Sequence, residues 1–262
     1  MTMKRILVIA GSDSSGGAGI QADLKTAQAF GVYAQTAITA VTVQNTLGVT
    51  GAHIVPPHIV REQIIACLSD IGADAIKTGM LGSAEMVETV AATLSEHAPG
   101  IPLVVDPVMV AKGGASLLDQ EAVTSLKKKL LPLASLITPN LPEAEVLTGI
   151  YPPDEHRIRN AAMVFKMLGV NDVLFKGGHG DGRIVHDMLW SGGDFIAFDA
   201  PRQDTPHTHG TGCTLATAIA CGLALGHSLP DAVRRAHTFV QNAIRTAPQL
   251  GQGHGPLNHS RS

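Results

Sequence analysis

The sequence predicts an α/β fold with a mostly parallel central sheet and helices on both faces. Short β-branched runs alternate with amphipathic segments of helical length along the whole chain. Several of those runs end directly in polar or glycine residues of the kind that build sites: Gly11, Asp106, Asn140 and Lys176. In open parallel sheets ligands sit beyond the carboxyl ends of the strands, so this coincidence points to one site at one edge.

Lys4–Ala10 reads as a buried strand, followed by a helix over Ile20–Phe30 that Gly31 closes. Ala34–Val43 is a second apolar stretch. Ile59, Ile64, Ile65 and Leu68 have helical spacing within His58–Asp70, behind Pro56-Pro57. Asp74–Thr78 and Leu103–Val105 read as strands separated by a helix near Ser83–His97. Next come a helix near Gln120–Leu131, a strand Ser135–Thr138, helices near Glu143–Thr148 and Arg157–Leu168, and a strand Val173–Phe175. Ile184–Leu189 and Phe195–Phe198 form an expected hairpin across Gly192-Gly193. Two helices, about Cys213–Leu225 and Pro230–Thr246, complete the pattern. The tail Gly251–Ser262 is Gly/His-rich and is expected to be poorly structured. With no linker or repeat, the expectation is one domain over 1–262.

Composition narrows the function. Of 262 residues 45% are hydrophobic, enough for a sizeable core, and only 3% are aromatic. Few aromatics, a net charge of −3 and no basic patch beyond Lys127-Lys128-Lys129, read as a solvated helix face, argue against nucleic-acid binding. No apolar run approaches the ~20 residues of a membrane span, and no secretory leader opens the chain. Cys67, Cys213 and Cys221 suggest reduced thiols and a cytoplasmic setting.

Two loops carry chemistry. Gly17-Ala18-Gly19-Ile20-Gln21-Ala22 matches the dinucleotide pattern G-x-G-x-x-A, which keeps an NAD-dependent oxidoreductase open. Against it, five residues precede Gly17 between Gly11 and that motif, and no acid ends the second strand; a Walker lysine motif is absent. The second loop, Gly210-Thr211-Gly212-Cys213-Thr214, opens an Ala/Leu/Ile helix. Helix N-termini leave amide N–H groups free and carry partial positive charge, and glycines let an anion approach. A thiol there is expected to ionise below the about 8.5 of free cysteine. Cys213 can be an inert core thiol, a metal ligand with His207 and His209, or a base or anion-stabilising group; the last accounts for glycines, threonines and helix together.

The segments GSDSSGGAGIQAD, TAVTVQN, KTGMLGS, VVDPVM, TPNLPEAE, KGGH, THGTGCT and GHGPLNH, in order from Lys4 to His259, resemble the hydroxymethylpyrimidine/phosphomethylpyrimidine kinases of thiamine biosynthesis. The resemblance implies a ribokinase-like three-layer sandwich, a homodimer, and use of ATP and Mg²⁺. It implies phosphorylation of 4-amino-5-hydroxymethyl-2-methylpyrimidine to the monophosphate and then the pyrophosphate. It further implies that Asp23, Gln44, Met80 and Gly11 hold the pyrimidine, that Asp106 and Glu143 organise Mg²⁺, and that Asn140 and Lys176 meet nucleotide phosphates. Gly210, Thr211, Gly212 and Cys213 would form the anion hole, with Cys213 where many relatives carry a catalytic Asp. Val108–Leu118 is expected to be a lid, with Lys112 reaching the phosphates. A pyridoxal kinase of the same superfamily is the nearest rival.

Overall fold

The computed structural model describes residues 2–109, 119–179 and 182–260. Among the described residues, nine strands form one sheet in the order β3-β2-β1-β4-β5-β6-β7-β8-β9. β1 (Arg5–Ser12), β2 (Tyr33–Asn45), β4 (Ala75–Thr78), β5 (Leu103–Val105), β6 (Leu136–Ile137) and β7 (Val173–Phe175) run parallel. β3 (Gly48–Ile54) returns antiparallel along β2 at one edge, and β8 (Ile184–Ser191) with β9 (Asp194–Pro201) form the hairpin at the other. That hairpin turns on Gly192 and Gly193, both at positive φ (62° and 95°), which glycine adopts without steric cost.

The connecting helices divide between the faces. One face carries α2 (Pro57–Asp70), α3 (Ala84–His97), α4 (Gln120–Ser125), α5 (Leu141–Thr148) and α6 (Glu155–Met167); the other carries α1 (Gly19–Phe30), α7 (Thr211–Ala224) and α8 (Leu229–Arg245). The helix expected near 120–131 is α4 continued by a π turn over Leu126–Leu130 and a short 3₁₀ turn, because Pro132 lacks the N–H that a longer α-helix needs. β3 escaped the sequence reading: GVTGAHI holds two glycines and no clean alternation, and only the ladder with β2 makes it a strand. The tail also departs from expectation. Gly253 N–H and His254 N–H donate to Thr46 Oγ1 and Thr46 O, at 3.3 and 2.8 Å, and Asn258 N–H donates to Ala243 O. Its glycines allow this docking, since a Cβ on Gly253 would overlap the Thr46 carbonyl.

A buried ion pair joins the sheet to the α1/α7 face. Lys77, in the middle of β4, reaches both oxygens of Asp23 on α1 at 3.0 and 2.9 Å, and neither side chain is exposed. Thr217 on α7 donates its hydroxyl to the same carboxylate at 2.6 Å. Burial works against the ammonium, yet Asp23, Cys213 and Asp106 hold it well above the ordinary lysine range. Removing one member leaves a buried charge uncompensated. Lys77→Met is therefore expected to cost about 3–5 kcal/mol in urea unfolding, and Asp23→Leu/Lys77→Met to recover most of it. A single-variant loss under about 1 kcal/mol would contradict this arrangement.

Candidate active site

The parallel strands deliver their ends to one edge, where a cleft of about 1430 Å³ opens. Gly11, Gln44, Met80, Asp106, Asn140, Glu143, Lys176 and the Gly210–Cys213 turn all line it. These residues span most of the chain, and the shared direction of β1, β4, β5, β6 and β7 is what collects them.

At one end Gly11 falls where the β1–β2 register shifts, between Ala10 and Ser12. A Cβ there would stand 2.5 Å from Met80 Cε, so the glycine lets that methionine lie across the strand end. Met80 is fixed from behind by the Thr39 hydroxyl, which donates to its carbonyl at 2.7 Å. Gln44 ends β2 half-buried beside His209, at 3.2 Å between Nε2 atoms. His209 Nε2 is also 2.8 Å from Asp13 Oδ2.

At the other end stands a cluster of charges. Lys176 Nζ is 2.9 Å from Asp106 Oδ1 and 3.8 Å from Glu143 Oε2. Burial opposes the ammonium, but Asp106 and then Glu143 hold it above its usual range. Glu143 is pushed up by burial and by Asp106, and Lys176 pulls it back. Asn140 and Glu143 form a reciprocal helix cap. Asn140 Oδ1 accepts from Glu143 N–H and Glu143 Oε2 accepts from Asn140 N–H, each at 2.8 Å. Glu143 is thus a first-turn helix acid and a cleft carboxylate at once.

Between the ends lies the start of α7. Gly210 caps it at φ 84°, and a Cβ there would overlap the Gly17 carbonyl, so the turn presses against the glycine-rich loop. No side chain caps this helix. The Thr211 N–H leans back to Thr208 O at 3.4 Å, leaving Gly212 and Cys213 to supply the forward-pointing amides. Gly212 brings that turn against the charges: a Cβ would stand 3.3 Å from Lys176 Nζ and 3.5 Å from Asp106 Oδ2.

Two expectations need amendment. Asp23 does not face the cleft; it is completely buried beneath it, paired with Lys77 and Thr217, because the lysine on β4 needs a counter-charge. The Cys213 thiol is not acidified in this structure. Burial pushes it up to about 11, with Asp23 and Asp106 adding to the shift, while Lys77 and a Gly19 amide oppose it. Helix position alone therefore does not decide the thiol's charge here; desolvation outweighs it. His209 is turned to Asp13, and among the described residues no group of three or more His, Cys, Asp or Glu could hold a metal. Lys112 and most of the expected lid, 110–118, lie outside the described residues, although Val108 and Met109 line the cleft.

The structure also adds residues to the site. Lys77, buried beneath the cleft with Asp23, had a signal, a lysine inside a mostly apolar strand. Asp13 stood in the quoted glycine-rich loop but the five donors around its carboxylate could not be read from sequence. Asp187 and His237 also line the cleft, and Asp187 Oδ1 accepts the Gly177 N–H at 2.8 Å, which holds the turn after Lys176.

Known proteins are similar to this chain along most of its length. The family model described as phosphomethylpyrimidine kinase matches residues 13–258. The chain is 49% identical over 261 residues to the hydroxymethylpyrimidine/phosphomethylpyrimidine kinase of Haemophilus influenzae, covering 98% of this chain and 97% of that one. It is 53% identical over 254 residues to the thiamine biosynthesis bifunctional protein ThiED of Geobacter sulfurreducens, covering 97% of this chain but spanning only about half, 52%, of that longer protein. Among solved structures, phosphomethylpyrimidine kinase from Clostridium difficile 630 superposes with a TM-score of 0.82 at 42% identity, over 92% of this chain and 99% of that chain. Pyridoxal kinase from Staphylococcus aureus in complex with AMP-PCP and pyridoxal superposes with a TM-score of 0.90 at 35% identity, over 99% and 94%. The mostly parallel sheet between two helix layers is thus the ribokinase-like fold that these kinases share. With matches running nearly end to end over both loops and every strand end of the cleft, the chain belongs to the phosphomethylpyrimidine kinase family.

Proposed function

We propose that this chain is an ATP-dependent kinase of 4-amino-5-hydroxymethyl-2-methylpyrimidine and of its monophosphate, acting as one unit over its whole length in thiamine biosynthesis. The observation that carries the reading is the α7 start: open amides of Gly212 and Cys213 beside Lys176 and Asp106, at the mouth of the parallel strands. Phosphoryl transfer is mainly positioning and charge neutralisation, and this turn supplies both. The kinase name of the Haemophilus relative and the AMP-PCP bound to the Staphylococcus structure support the nucleotide as donor. The pyridoxal named in that structure keeps pyridoxal as the second alcohol to assay. The family model matched over residues 13–258 favours the kinase over the dinucleotide reading.

The roles follow from chemistry. Gly11 and Met80 form a floor for the ring, and the Gln44 carboxamide offers both a donor and an acceptor to an aminopyrimidine edge. Lys176 and Asn140 stand where nucleotide phosphates would pass the strand ends. Asp106 and Glu143 suit Mg²⁺, which takes one or two carboxylates together with phosphate oxygens and water. The fit rests on Asp106 Oδ2, which faces Gly212 while Oδ1 holds Lys176. A bound Mg²⁺ would neutralise phosphate charge; this chain's residues orient the phosphates and take the proton. Cys213 is the proton acceptor for the hydroxymethyl group, a strong base present as thiolate in small fraction at neutral pH. We propose a homodimer through the β2–β3 edge, where Val43 and Leu47 are 63% and 67% exposed. A cytoplasmic setting agrees with three cysteines in no disulfide.

Incubation with ATP, Mg²⁺ and hydroxymethylpyrimidine, read by mass, is expected to yield the monophosphate and then the pyrophosphate; pyridoxal as the better substrate would reverse the order of the two readings. Since thiolate grows about tenfold per pH unit below a pKa near 11, kcat is expected to climb between pH 7 and 9. Cys213→Ala is expected to retain the pyrimidine, lower kcat on the order of 10² or more, and lose that climb. Unchanged turnover in the variant removes the sulfur from the reaction. Lys176→Met is expected to weaken ATP binding by about 2–5 kcal/mol, read by calorimetry, with pyrimidine affinity little changed.

A further inference from the structure

Beside Gly17, two hydrogen-bonding groups, Asp13 and Gln44, meet at one nitrogen, His209 Nε2. Asp13 is 3% exposed, and its oxygens accept from Ser15 N–H and Oγ–H, from Gly17 and Ala18 N–H, and from His209. Burial alone would raise this carboxyl, but those donors, His209 first, hold it down at about 2. An ionised carboxylate only accepts, so His209 Nε2 carries a hydrogen and gives it to Asp13. The ring lies directly against Gly17, where a Cβ would stand 2.6 Å from its Cδ2, and the backbone N–H of His209 is tied to Gly255 O at 3.1 Å.

That hydrogen constrains Gln44. Its Nε2 lies 3.2 Å from His209 Nε2, which sets donor against donor. Its Oε1 lies 3.2 Å from Thr42 Oγ1, whose one hydrogen is directed to Ser12 O at 2.9 Å. A half-turn of the carboxamide exchanges two ends of nearly equal shape and satisfies every group: the carbonyl shares the His209 hydrogen, and the NH₂ donates to Thr42 Oγ1.

We propose that His209, held by Asp13, is a specificity-determining residue: it locks the Gln44 carboxamide with its carbonyl toward His209 and its NH₂ toward Thr42, so that the cleft reads an aminopyrimidine edge in one sense only. The proposal rests on the kinase reading above, in which Gln44 takes the ring edge. In the locked amide one N–H and one carbonyl lone pair remain for the ring. A ring nitrogen beside an amino group matches that pair in one order. The reverse order would turn the ring over and carry the hydroxymethyl group away from Cys213.

The test compares hydroxymethylpyrimidine with its analogue lacking the 4-amino group. Wild type is expected to favour the amino compound on the order of 10²-fold or more in kcat/KM, since the analogue leaves site groups unpaired. In His209→Leu that preference is expected to fall to a few-fold while KM for ATP holds. In His209→Gln it is expected to return, because the new amide nitrogen can still donate to Asp13. Full preference retained in His209→Leu overturns the lock and leaves the kinase reading standing. Absence of turnover of both alcohols by wild type overturns the kinase reading and the lock with it. If thermal unfolding shows that His209→Leu does not fold, His209→Met is judged by the same criterion.

Discussion

The contact between Lys77 and Asp23 sets the geometry of everything above it. A lysine in the centre of a parallel strand has no route to water, so its charge must be answered from a neighbouring layer. Asp23 answers from α1 and Thr217 from α7, which ties both helices to β4 at one point. The glycine-rich loop precedes α1 and the Gly210 turn precedes α7. Fixing the two helices therefore brings the two loops together, and Gly17 and Gly210 touch with no room for a side chain.

The same pair reaches the chemistry electrostatically. Lys77, with a Gly19 amide, favours a Cys213 thiolate, but burial, reinforced by Asp23 and Asp106, outweighs both. The result is a thiol that is a strong base held in reserve, in place of a permanently charged nucleophile. At the cleft surface Lys176 plays a parallel part, keeping Asp106 and Glu143 from repelling each other and standing next to the open amides of α7. One buried and one half-open lysine thus frame the site in which negative charge moves.

Much of this was legible beforehand. Strand–helix alternation predicted the sheet, and Gly11, Asp106, Asn140 and Lys176 line the cleft because parallel strands share a carboxyl edge. The Asn140–Glu143 capping box, which the sequence reading passed over, starts α5 two residues earlier than the Glu143 start it expected. Asp23 misled because a carboxylate in a motif looks the same whether it meets a ligand or a lysine. β3 and the docked tail were invisible for a related reason. Their glycines carry no apolar period, and what orders them is the β2 ladder and Thr46, both distant in the chain.

By itself the order of residues determined the layer architecture, the edge at which the site lies and the identity of most of its lining. These depend on periodicity and on local backbone rules that act within a few residues. Only the tertiary structure decided the charge state of Cys213, the burial of Asp23, the five donors around Asp13 and the hydrogen that His209 presents to Gln44. Desolvation and hydrogen-bond direction are properties of what surrounds an atom, and here the surroundings come from segments up to 196 positions apart.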